Sequence, residues 1–318
     1  MIHNQLCNIY IASCVPSGGI YQYFLHSDGT LEFVRKTEVD RPMYMASENN
    51  KMYVVLRAPF DDTSSGVITY DIDNKGQLVN PSGISSTNGE VACHIAVDEG
   101  RVYCANYISG SVIRLPDVVA VHTGCGKNPK RQEKAHAHWV GITPDREYVC
   151  AVDLGLDTIY IYDKDLKCIS KAKVPDGHGS RHGIFSKNGK YLFCANELES
   201  TVSAFRYNNG ELSYIDTLST LPEGFFGENA TAAIRIYDNK IYVSNRGHDT
   251  ISQIKFDYEK LFFERTIDCG GESPRDFNFI NDFMICANEN TDNVTVYSCK
   301  DEFVKVSEVS VEKPLCVV

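Results

Sequence analysis

His138 and Arg181 hold matching places in a recurring pattern, since each precedes the polar end of a strand by the same interval: Asp153 for His138, Asn196 for Arg181. Arg57, Glu197, Arg246 and Glu289 each follow directly on such an end, and His94, His182 and Arg275 with Asp276 stand near His138-like positions. Guanidinium forks match the oxygens of phosphate or carboxylate, and an imidazole or carboxylate can carry a proton at a reacting centre. Brought together, these side chains would form a pocket for an anionic, oxygen-rich small molecule. The plainer alternative is that the charges pair around a water-filled channel, with Arg181 and Glu197 as a cross-strand ion pair.

Positions so far apart meet only if a repeated element gathers them. The strands NIYIAS, KMYVVL, RVYCAN, EYVCAVD, YLFCAN, KIYVSN and FMICAN end at Ser13, Leu56, Asn106, Asp153, Asn196, Asn245 and Asn288. Their spacing of roughly 46 residues is that of a four-stranded propeller blade. Residues 181–214 show the local pattern: a first strand over 182–186, a turn at Lys187-Asn-Gly189, and a second strand over 191–196. A third strand over 201–207, the turn Asn208-Asn-Gly210 and an outer strand over 212–218 follow. The pattern predicts an all-β, seven-bladed propeller of antiparallel blades, a single domain over residues 1–318. An open ring would expose a strand edge, so residues 314–318 are expected to pair with 6–13 and close it. In each blade the start of the first strand and the end of the second then lie at the same mouth of the axial channel.

Composition narrows the function further. Hydrophobic residues at 43% and aromatics at 11% supply a core, while a net charge of -11 argues against a general nucleic-acid binder. Any anion site is therefore a local basic pocket. The 12 cysteines show no disulfide framework, and Cys104, Cys194 and Cys286 share one slot two residues ahead of the repeat's Asn, as expected of buried thiols in a reducing compartment. The N-terminus has no basic, long apolar leader and no stretch is apolar enough to span a membrane, so a cytoplasmic location is expected. An arginine-rich pocket repels a cation, which argues against a catalytic Ca²⁺, and no cofactor is expected. Nothing in the sequence fixes an oligomeric state. A binding scaffold of the Trp-Asp repeat type is disfavoured by the single tryptophan, Trp139.

Four segments carry a family resemblance: HAHWVGITPDREYVCAVDLGLDTIYIYD (136–163), SRHGIFSKNGKYLFCANELESTVSAFRY (180–207), IYVSNRGHDTI (241–251) and SPRDFNFI (273–280). Together they resemble the bacterial lactonase family of seven-bladed propellers, the 6-phosphogluconolactonases, related to the 3-carboxy-cis,cis-muconate lactonizing enzymes of fungi. The resemblance implies hydrolysis of an anionic sugar lactone, with cyclisation of a carboxymuconate or a catalytically silent binding propeller as alternatives. It implies catalytic roles for His138, Arg181, Glu197 and Arg246, with Glu197 or His138 as general base. Arg57, His94, His136, His182 and Arg275 are expected to bind substrate, Arg275 lying in the family's Pro-Arg-hydrophobic motif.

Overall fold

The structure, a computed structural model, describes residues 5–300 and 302–318, and among them it contains strands and turns but no helix. Seven antiparallel sheets form the blades. The first joins Pro314–Val317 to Gln5–Ser13, Gly19–His26 and Leu31–Glu38. The expected closure is therefore present: Ile11 faces Val317, Ala12 faces Cys316 and Ser13 faces Pro314, with paired backbone hydrogen bonds between Tyr10 and Val318.

Burial follows position in the blade. Second and third strands such as Val149–Asp153 and Thr158–Tyr162 are buried on both faces, because a neighbouring blade covers each side. Outer strands such as Leu31–Glu38 are mostly half-buried or exposed. Adjacent blades share cores; Trp139, Val152 and Ile161 of the fourth pack with Leu192, Cys194 and Phe205 of the fifth. The second blade departs from the expected four strands, its outer edge being split into Leu78–Val79 and Ser85–Glu90, which pair with opposite ends of Ser64–Ile72. Asn80 has a φ of 50° and Pro81 supplies no N–H, so one continuous edge strand cannot run through them.

The repeat's terminal asparagine is a buried clamp. Asn196 donates to Thr201 and Ser203 at 3.0 and 2.8 Å, and Asn245 donates to Ser252 at 2.8 Å, so each tethers the connection to the third strand. Asp153, in the fourth blade, instead accepts the backbone N–H groups of His136 and Leu156.

Every inner strand is broken at one point near the channel mouth. Pairing with the second strand skips Leu315, Met43, Cys93, His138, Arg181 and Arg275 in six blades, and skips Ala232 and Ala233 in the sixth. A bulge of this kind re-aims the unpaired side chain. Here it turns all six named side chains onto one axial cavity.

Candidate functional site

The bulge residues are not alike around the ring. Leu315, Met43 and Cys93 make an apolar arc over the first three blades, and His138, Arg181 and Arg275 make a polar arc over the fourth, fifth and seventh. Above them opens a cleft of about 340 Å³. Met43, Cys93, His138 and Arg275 form part of its floor, and Arg57, Tyr107, Glu197 and Arg246, from the ends of second strands, stand around them. Arg131 completes the lining from a connection between the third and fourth blades.

Glu197 organises the arginines. Arg181 Nε and Arg246 Nη2 lie 2.9 and 3.1 Å from its Oε2, and Arg131 Nη2 lies 2.7 Å from its Oε1. Burial alone would raise the Glu197 pKa, but the charges of Arg246, Arg181 and Arg131 outweigh it and hold the carboxyl well below the usual range. Arg181 is pushed down to about 9 by burial and by Arg246 and Arg275, so it remains a cation at neutral pH. Arg275 meets Glu289 at 3.4 Å, and Arg57 is exposed without an ion pair among the described residues.

His138 is buried and its pKa is lowered, first by desolvation and then by Arg181 and Arg275, with Glu197 opposing them. It is therefore neutral at pH 7. Its Nδ1 lies 3.7 Å from Cys93 Sγ. The nearest acceptor for the Cys93 thiol proton is the His138 carbonyl at 3.3 Å, and burial pushes that thiol up to about 12. Sulfur lone pairs are thus left to accept from Nδ1–H. Nε2 keeps its own lone pair.

His94 and His182 lie one residue beyond the bulge positions; they border the axial cavity with His138 and Arg181 but, like Arg181, are absent from the cleft lining above it. There the His94 ring lies tilted against Tyr44 at 4.2 Å and edge-on to His182 at 5.2 Å. Arg235 fills the axis between them, meeting Asp276 at 2.5 Å, Tyr44 at 3.3 Å and His182 at 3.4 Å. This layer plugs the channel beneath the cleft. The expected substrate ligands His94 and His182 sit in that plug, and so does Asp276. His136 also stands outside the cleft lining; its ring stacks on Tyr107 at 4.5 Å while Nδ1 donates to the Tyr107 carbonyl. Its position supports a cleft wall. Of the other residues on the second-strand ring, Leu154 is fully buried and Cys14 lies against Met43.

Arg131, Cys93 and Arg235 were not singled out by the sequence. Arg131 sits outside the strand repeat, and the spacing concealed its loop because the outer strands of the third blade, Ser111–Arg114 and Val118–Val121, are only 4 residues each. Arg235 meets Asp276, Tyr44 and His182 from three other blades, a relation visible only in three dimensions.

The model of the seven-bladed β-propeller lactonases matches residues 8–318. The chain belongs to that family. An uncharacterized protein of Staphylococcus aureus (strain USA300) is 30% identical to it, over 95% of either chain. Among solved structures, a periplasmic gluconolactonase of Pseudomonas aeruginosa is 25% identical with a TM-score of 0.88, covering 98% of this chain and 99% of its own. A candidate 6-phosphogluconolactonase of Bacteroides fragilis is likewise 25% identical, with a TM-score of 0.86 over 98% of this chain and 97% of its own. In this lactonase-family cleft, an arginine-rich wall and a neutral histidine face a space large enough for one sugar-sized ligand.

Proposed function

We propose that the protein hydrolyses an anionic sugar lactone, 6-phosphogluconolactone to 6-phosphogluconate. The observation that carries this reading is a neutral His138, its Nδ1 turned to Cys93, beside four cleft arginines, of which Arg131 and Arg246 share the already neutralised Glu197 and Arg275 meets Glu289. His138 Nε2 takes a proton from water as the oxygen attacks the ring carbonyl, and Arg275 or Arg246 stabilises the tetrahedral oxyanion. Collapse of that intermediate breaks the ring ester bond, and the imidazolium returns its proton to the departing alkoxide. The product is a hydroxy acid. Glu197 is a poor base, since both oxygens are engaged and its carboxyl resists protonation; its role is to hold the arginines. The sites of substrate contact are Arg57, Arg131, Arg246 and Arg275. Twelve thiols without a disulfide support a reducing, cytoplasmic setting.

The test compares hydrolysis of 6-phosphogluconolactone, gluconolactone and a carboxymuconolactone by one preparation. Preference for the phosphorylated lactone is expected, and a hundredfold preference corresponds to about 2.7 kcal/mol of transition-state discrimination. Turnover confined to the carboxymuconolactone would move the assignment to the lactonizing branch, and absence of any turnover would leave a binding propeller.

A further inference from the structure

Residues 122–136 form the longest stretch without a strand in the described chain, and it is pinned rather than loose. At its start His122 is buried with Nδ1 2.5 Å from Asp153 Oδ2 and Nε2 2.6 Å from the Tyr162 hydroxyl. Gln132 is fully buried; its Nε2 donates to the Leu154 carbonyl at 2.9 Å and its Oε1 accepts from the Asn128 N–H at 2.9 Å. His136 at the far end stacks on Tyr107. None of these three anchors lines the cleft, yet the residue next to Gln132 does. Their shared effect is to hold Arg131 over it.

The fourth blade departs from the repeat to make this possible. Asn196, Asn245 and their equivalents use the terminal amide as a donor to the next strand, whereas Asp153 offers acceptors to His122 and to the His136 backbone. That exchange ties both ends of the segment to one carboxylate.

Arg131 also differs from the other two partners of Glu197. Its side chain is 43% exposed, against 6% for Arg181 and 15% for Arg246. An exposed ion pair is weak and exchanges readily, while the buried pairs persist. If Arg131 leaves, Glu197 remains neutralised by Arg181 and Arg246.

We propose that Arg131 is an exchangeable anion clamp: an incoming substrate takes it from Glu197, and with Arg57 it holds the substrate's remote phosphate and sets the preference for phosphorylated over neutral lactones. The proposal rests on the hydrolase reading for its substrate, but its charge chemistry can be tested without turnover. Steady-state kinetics on 6-phosphogluconolactone and gluconolactone, together with calorimetric titration of inorganic phosphate, would compare wild type with R131A and R131K. R131A is expected to lower the phosphorylated-to-neutral ratio of kcat/KM about tenfold or more, chiefly through KM, and to weaken phosphate binding. R131K is expected to recover part of both, with the melting temperatures of the three proteins alike. Equal losses on both lactones, or phosphate affinity indifferent to the substitution, would overturn the proposal. If wild type turned over neither lactone, the hydrolase reading would fall, and loss of phosphate binding in R131A would still support the clamp.

Discussion

At the scale of single residues, His138 and Glu197 separate by environment. Both are buried, but one is a neutral imidazole and the other a carboxylate locked between cations. Replacing His138 with Ala is expected to lower kcat by roughly 10²- to 10⁴-fold with little change in fold stability, as read by kinetics and thermal melting on the same sample. Glu197→Gln should do the reverse in emphasis: leaving buried guanidinium groups uncompensated costs about 3–5 kcal/mol, detectable by urea denaturation. Cys93 discriminates further, because Ser can reproduce its two contacts with His138 and Ala neither. We expect Cys93→Ser to keep most activity and Cys93→Ala to reduce kcat, a pattern that a purely space-filling role would invert. Since burial lowers the His138 pKa, its basic form persists below the ordinary value near 6.5, and kcat should stay flat from pH 7 to well under that value. A falling limb centred at or above 6.5 would count against His138 as the base.

At the scale of elements, the bulge and the closing strand decide what the site contains. One skipped residue in six of the seven inner strands changes the direction of a side chain, so Cys93, His138 and Arg181 turn to the axial cavity while the adjacent His94, Trp139 and His182 gather in one ring cluster. The closing strand bears the same geometry. Leu315 contributes to the apolar arc, Val317 is buried, and the Val317 N–H donates to Asp276 in the axial plug at 3.0 Å. Truncation after Lys313 removes the burial of Leu315 and Val317, about 3–6 kcal/mol in transfer free energy, and uncovers the edge of Gln5–Ser13. A protein that aggregates or melts far lower is expected by size-exclusion chromatography and calorimetry; a monomer of wild-type stability would refute the role of the clasp.

At the scale of the whole molecule, acid sensitivity is concentrated on the axis. His94, His138 and His182 are all buried with lowered pKa values, through desolvation first and nearby arginines second. The unfolded chain protonates these histidines near pH 6.5 while the folded chain does not, so stability is full above that pH and falls as pH drops toward the folded values. Each histidine contributes a loss of about 1.4 kcal/mol per pH unit in that window. Glu197, lowered as well, adds a loss of the same sign below its ordinary value of 4.5. Denaturation midpoints measured from pH 7.5 to 5 should therefore hold to about pH 6.5 and decline below it, and His94→Phe should flatten that slope. Unchanged midpoints across that range would contradict the buried neutral axis.

The sequence by itself determined the number of blades, the closing strand and the mouth at which strand ends meet, because all of these follow from a period and from the alternation of a β-hairpin. It also placed Arg57, His138, Arg246 and Arg275 near that mouth. Only the tertiary structure decided which neighbours share a layer, since a bulge shifts the register by one residue without any change in the spacing of the repeat. His94 and His182 thereby fell into the plug and Cys93 rose beside His138. Arg131 depended on tertiary structure for a different reason: it reaches the cleft from a loop whose position is set by Asp153, Leu154 and Tyr107, contacts made by folding and written in no local pattern.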